Sequence, residues 1–218
     1  MFTSIFSNLI HNIWPMLFIF TVIIVGVRLA YIICNKENFV FYKELLMLCF
    51  ILYILLLYYI VTFQDNNYGT NNYIPFKEIF RYSISSKFFF KNVLGNILLF
   101  APFGIFVTHY IKAEKIYVPI SLSIIVSVAI EFAQSKIGRT VDIDDIILNV
   151  VGGIIGYLIY KLGKKLTNKL PEFMKSELFL DILFLSIIIT IIYLSFKFNF
   201  WRYLAWTMQT LLIIIIRM

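Results

Sequence analysis

Six stretches of mostly apolar residues, each near the length of a bilayer crossing and bounded by charge, constrain this chain more than any other feature. They run approximately over 13–33, 45–63, 93–111, 117–134, 142–160 and 178–196. A hydrocarbon core of roughly 30 Å needs about 20 such residues in a helix. A shorter stretch, 203–216, carries Gln209. It reads as a seventh crossing that tilts or thins the bilayer, ahead of a re-entrant or interfacial segment. The expected fold is therefore all-α: a polytopic transmembrane helical bundle of six to seven spans.

Composition closes the alternatives. Hydrophobic residues make up 61% of the 218 and charged residues only 14%, against roughly 45–50% and about 25% in soluble domains. A water-soluble enzyme, a disordered tail and a disulfide-stapled secreted module are excluded. The formal charge of +7 comes from 19 Lys and Arg scattered singly between apolar runs, which suits membrane-flanking anchors and not a nucleic-acid patch. Cys34 and Cys49 fall inside or at the ends of apolar segments, so both are expected to be free thiols. The first stretch is longer than a signal-peptide core and has no basic stretch before it or small-x-small site after it. It is expected to stay in the mature protein.

Loop charge suggests an orientation. With the N-terminus outside and seven spans, ten basic residues lie inside, the densest being Lys161, Lys164, Lys165, Lys169 and Lys175, and eight lie outside. Positive loops favour the cytoplasm, so segments 64–91 and 135–141 are expected outside. The first of these is rich in Asn and contains Gly69 and Pro75, which favour turns. Its stretch Phe76 to Phe90 mixes bulky apolar with basic residues, as in a helix or hairpin lying at the membrane interface.

Polar residues inside spans are functional candidates by default, because each is costly unless it faces the bundle or water. Three helices carry them as stripes on a helical wheel. The third span has Asn92, Gly95, Asn96 and Leu99; the fourth has Ser123, Ser127, Glu131 and Gln134; the fifth has Asp142, Asp145, Asn149, Gly152 and Gly156. All three are richest at the ends expected outside, which points to a shared polar cleft opening outward. Structural readings stand beside this one. Asp142 can be the N-cap of the fifth helix, with Asp144 and Asp145 as first-turn acids. Glu131 can be a carboxylate paired with Arg139 or Lys136. Gly152 and Gly156 read as helix packing, and so do Gly95, Gly104 and Pro102. Pro102 should also bend the third span and free the carbonyl of Leu98. His109 reads as interfacial.

Taken together, several motifs match a known pattern in order and spacing: Asn72-Tyr73-Ile74-Pro75-Phe76; Asn92-x-x-Gly95-Asn96-x-x-Leu99-Phe100-x-Pro102-x-Gly104; Glu131-x-x-Gln134; and Arg139-x-x-Asp142-x-Asp144-Asp145-x-x-x-Asn149-x-x-Gly152-x-x-x-Gly156. Over about residues 45 to 160 the chain resembles the VanZ-like family of membrane proteins. The organisation this implies is an additional N-terminal span and loop (1–44), a four-helix family unit (45–160), and a basic cytoplasmic loop with C-terminal spans (161–218). The resemblance implies a multi-pass protein of the cell membrane, similar to the accessory component of glycopeptide-resistance clusters that lowers susceptibility to teicoplanin. It supplies a phenotype and no reaction.

Three functions follow as expectations. The first is a non-enzymatic envelope factor whose outward cleft binds a lipid-tailed antibiotic or a lipid-linked wall precursor. The second is a membrane enzyme on a lipid-linked headgroup, with Glu131, Asp142 and Asp145 as acid and base; Asp142 and Asp145 could then hold a divalent cation, since carboxylate oxygens suit Mg²⁺ or Ca²⁺. No nucleophile-and-base motif accompanies them, so it ranks second. A transporter or lipid-moving protein hinged at Pro102 ranks third. The ligand-facing candidates are Asn92, Asn96, Glu131, Gln134, Arg139, Asp142, Asp145 and Asn149. Asp144 also matches the family motif but points about 160° away from the Asp142–Asn149 face.

Overall fold

The computed structural model describes residues 2–63, 71–81, 86 and 89–217, with the backbone alone at 2–12, 63, 91 and 198–217. Among the described residues eight α-helices follow one another: α1 (Phe2–Asn35), α2 (Phe41–Phe63), α3 (Lys77–Arg81), α4 (Gly95–Ile111), α5 (Tyr117–Lys136), α6 (Ile143–Thr167), α7 (Glu172–Lys175) and α8 (Glu177–Arg217). A π-helical turn, Phe89–Leu94, leads directly into α4. Among the described residues there is no strand, only an isolated bridge between Asn72 and Asp142. Among the described residues six helices contain a stretch long and apolar enough to cross a membrane: Ile13–Asn35, Phe41–Thr62, Asn92–Ile111, Tyr117–Lys136, Ile143–Thr167 and Glu177–Lys197. The all-α membrane architecture is thus present.

One detail differs from the sequence reading, and two expectations fall partly outside the described residues. Helix α6 runs seven residues beyond the expected end at 160, because the charges at Lys161, Lys164 and Lys165 end the apolar run without ending a helix that water can solvate. In the stretch from Phe76 to Phe90 the described elements are α3, five residues long, and the π-helical turn that begins at Phe89; the helix or hairpin expected there otherwise lies outside the described residues. The expected seventh span falls on residues whose backbone continues α8 as helix; whether it crosses lies outside the described side chains.

The chain divides into two compact units, residues 1–37 with 46–169, and residues 38–45 with 170–218. In the first, α6 packs against both α4 and α5. Glycine makes the α4–α6 approach possible. A Cβ on Gly104 would strike the carbonyl of Gly153, one on Gly152 the carbonyl of Ile97, and one on Gly156 the carbonyl of Ala101. These are backbone atoms that cannot swing aside, so the two helices touch main chain to main chain, as small residues permit in lipid. Gly95 has only the Phe90 carbonyl near, at 3.8 Å from where a Cβ would sit. An apolar cluster of Leu57, Phe100, Phe103 and Val107 fills the space between α2 and α4, with Tyr53, Leu122 and Val126 packed on it.

Pro102 lies inside α4, and the neighbouring backbone is served from α2. The Tyr53 hydroxyl donates to the Leu99 carbonyl at 2.6 Å. That carbonyl neighbours the Leu98 carbonyl, the one that Pro102 leaves without its helical donor.

In the second unit the Asp181 carboxylate accepts from the Tyr42 amide at 2.8 Å, in the first turn of α2, and Glu177 pairs with Lys43 at 2.6 Å. An acid at a helix N-terminus serves amides that have no partner within the helix. Cys34 and Cys49 are both free and exposed.

Candidate functional site

The start of α6 meets the segment 71–81, the start of α4 and the end of α5, and the loop after α5 returns to the end of α2. The turn after α5 is built by Gly138, whose φ of 84° suits a residue without Cβ. Beyond it the Arg139 amide returns to the Gln134 carbonyl at 3.1 Å, the closing bond of a Schellman cap. That cap turns Arg139 back over the helix it has just left. Its Nη1 donates to the Val61 carbonyl at 2.8 Å, one of the last-turn carbonyls of α2 that have no helical donor.

Glu131 is 4% exposed, yet it forms no ion pair with Arg139 or Lys136 among the described residues. Its Oε2 accepts from the Asp142 amide at 2.9 Å. Gln134 joins it to the cation: turned to satisfy both neighbours, its amide nitrogen donates to Glu131 Oε1 at 3.2 Å and its oxygen accepts from Arg139 Nη1 at 2.8 Å. The Glu131-x-x-Gln134 spacing places both on one face of α5, one turn apart.

Asp142 is the N-cap of α6: extended at φ −130°, it accepts from the Asp144 amide at 2.9 Å. The same Oδ1 accepts from Asn72 Nδ2 at 2.8 Å. Burial pushes the Asp142 carboxyl up from its ordinary value; the hydrogen bonds from Asn72 and the Asp144 amide oppose this, and the charges of Asp144 and Glu78 add to it. Asn72 is fixed on both sides, its amide donating to the Val141 carbonyl and its carbonyl accepting from the Ile143 amide.

Asp144, 1% exposed, leaves the polar face as the helical wheel demands. It enters the loop before α3, where its carboxylate accepts from the amides of Phe76, Glu78 and Ile79. The two acids Asp142 and Asp144 thus have defined structural work, one capping α6 and the other capping α3 from a distance.

Asp145 takes a hydrogen bond from Asn96 Nδ2 of α4 and lies within electrostatic reach of Glu131, Asp142 and Arg139. One turn deeper, Asn149 Nδ2 donates to Ser127 Oγ of α5 at 2.8 Å, both buried. The three stripes therefore meet pairwise: α4 with α6 at Asn96 and Asp145, α5 with α6 at Ser127 and Asn149 and again at Glu131 and Asp142. Asn92 is half-buried in the π-helical turn. His109 lies at the other end of α4 with its ring edge-on to Tyr110 and Tyr160.

Chemically, the cluster combines three carboxylates, a guanidinium and primary amides at the ends of membrane spans. It can hold protons and bind hydroxyl, amine or amide groups. Among the described residues no group of three or more His, Cys, Asp or Glu side chains is gathered to hold a metal, so a divalent cation at Asp142 and Asp145 would need further ligands from water or substrate. Asn72 and Ser127 belong to this network, and the signal for each was present: Asn72 stands in the Asn-Tyr-Ile-Pro-Phe motif and Ser127 on the α5 stripe.

A family model described as VanZ/LLP1 matches residues 45–164. The chain is 28% identical over 110 residues to Protein VanZ of Enterococcus faecium; the alignment covers 50% of this chain and 64% of that protein. No solved structure matches the chain.

Proposed function

Because this chain belongs to the VanZ/LLP1 family, we propose that it acts in the cell envelope as a multi-pass plasma-membrane protein that lowers susceptibility to teicoplanin-type lipoglycopeptides. The polar cluster of Asn96, Glu131, Gln134, Arg139, Asp142 and Asp145 is its working site, opening outward. The observation that carries this reading is the convergence of three polar helix faces at the same end of their spans, built from the residues that carry the family resemblance. The loop charges favour that end outside. A site at this depth contacts a headgroup while lipid-facing helices flank the acyl chain, so it can separate an acylated drug or a lipid-linked wall precursor from a soluble relative.

The test is susceptibility of a sensitive Gram-positive host expressing the chain. A rise in the inhibitory concentration of teicoplanin with vancomycin unchanged is the expected result. Protection against neither drug removes the antibiotic assignment. The mutual electrostatic reach of Glu131, Asp142 and Asp145 favours, as a second reading, acid–base work on a lipid-linked headgroup. Turnover of such a headgroup by the purified protein separates the two.

A further inference from the structure

The segment 72–81 combines rigid anchoring with outward-facing apolar side chains. On the inward side stand the Asn72 bridge and the three amides held by Asp144. On the outward side Tyr73, Ile74, Phe76 and Phe80 are all exposed, Phe80 to 83%. Phe76 and Phe80 lie one helical turn apart, ring centroids 6.2 Å from each other. Lys77 and Arg81 are exposed on the same short helix, Arg81 paired with Glu78 at 3.1 Å, so Lys77 carries its net positive charge.

The backbone shows that this presentation is enforced. Pro75 and Phe76 are the central residues of a turn closed by the Lys77 amide and the Ile74 carbonyl at 3.4 Å. Phe76 has φ 65°, a left-handed conformation that favours glycine or asparagine and is an outlier for a bulky side chain. Such strain persists only where the surroundings over-determine it. Here the Phe76 amide is one of those held by the buried Asp144.

The position identifies what covers the surface. Asp144 lies in the first turn of α6, which the span Ile143–Thr167 places at a membrane boundary. Exposed aromatic rings beside basic residues at that level suit the zone between headgroups and acyl chains, and basic side chains there are drawn to anionic lipid. We propose that Tyr73 to Phe80 is an interfacial wedge, inserted among the headgroups of an anionic bilayer and held in place by Asp144, at the rim of the carboxylate site. This goes beyond the antibiotic reading and does not depend on it.

The experiment is spin-label depth measurement on the full chain in phosphatidylglycerol–phosphatidylcholine vesicles, with Cys34→Ser and Cys49→Ser removing the native thiols. A label at Phe80→Cys should relax more with lipid-dissolved oxygen than with an aqueous nickel chelate, and one at Lys169→Cys the reverse. Adding Asp144→Asn should shift the Phe80 label toward the aqueous agent at least twofold. A Phe80 label that is aqueous, or shielded from both agents as under a protein cover, overturns the wedge. Unchanged depth in the Asp144 variant overturns the holding role. Measurement in the Asp144-intact background decides the wedge even where that variant does not fold.

Discussion

Helices α4, α5 and α6 bury 33%, 28% and 33% of their most apolar stretches inside the protein, whereas α1 and α2 bury 6% each and α8 none. All six are long and apolar enough to cross a membrane, so crossing ability does not distinguish them. Polarity does. Lipid tails offer apolar side chains as good an environment as a neighbouring helix does, so what draws helices together is small residues and buried hydrogen bonds. The glycines at 104, 152, 153 and 156 and the pairs Asn96–Asp145 and Ser127–Asn149 all lie in the first group. Helices α1, α2 and α8 are the more uniformly apolar ones.

The largest expected effect comes from closing the glycine contact. Gly104→Ala or Gly156→Ala forces a methyl group into backbone atoms and should cost about 1–3 kcal/mol or more, read as lost thermal stability in detergent. Gly26→Ala in α1, where nothing lies within 4 Å of the added methyl, should gain up to about 1 kcal/mol by helix propensity alone. Equal losses at Gly26 and Gly104 would break the comparison. Next, Asp144→Ala orphans three amides and should cost about 2–3 kcal/mol, with faster hydrogen exchange at Phe76, Glu78 and Ile79. Protected amides there would show that the carboxylate does not hold the loop.

A smaller term belongs to the buried pair. A double-mutant cycle between Asn149→Ala and Ser127→Ala should return a coupling of about 0.6–1.7 kcal/mol, the range measured for hydrogen bonds between membrane helices; zero coupling would leave the α5–α6 contact to shape alone. The smallest concerns Asp142. Burial raises its carboxyl above the unfolded value, so its contribution to stability is whole below the ordinary aspartate range and is lost as pH rises through the folded value. Asp142→Asn keeps an oxygen for the Asp144 amide and should stay within about 0.5 kcal/mol of wild type near that range. It should gain relative to wild type as pH rises; a relative loss would contradict burial as the dominant influence.

Much of the architecture was legible because membrane spans declare themselves by length and charge boundaries. The expected 117–134 became Tyr117–Lys136, and the polar faces of α4, α5 and α6 followed from a 100° rotation per residue. Periodicity also placed Asp144 off the shared face. It could not supply the partner, since Phe76 to Ile79 lie 65 to 68 residues away and no repeat connects a loop amide to a helix acid. The same holds for Tyr53 reaching Leu99 and for Gly153 meeting Gly104. Each is a contact across elements, set by packing. Glu131 shows the limit differently: its buried carboxylate suggested a cationic partner, and a backbone amide served in its place.

The most direct test of the central claim, that the converging polar faces are the working site, compares Asp145→Asn and Glu131→Gln with wild type and Gly26→Ala for teicoplanin protection at matched abundance. Each replacement keeps the oxygen that accepts from Asn96 or from the Asp142 amide, although Glu131→Gln gives up the one that accepts from Gln134, so the thermal stability of each variant is compared as well. The two carboxylate variants should lose at least fourfold in inhibitory concentration, while Gly26→Ala keeps full protection. Full protection in both carboxylate variants would contradict the claim.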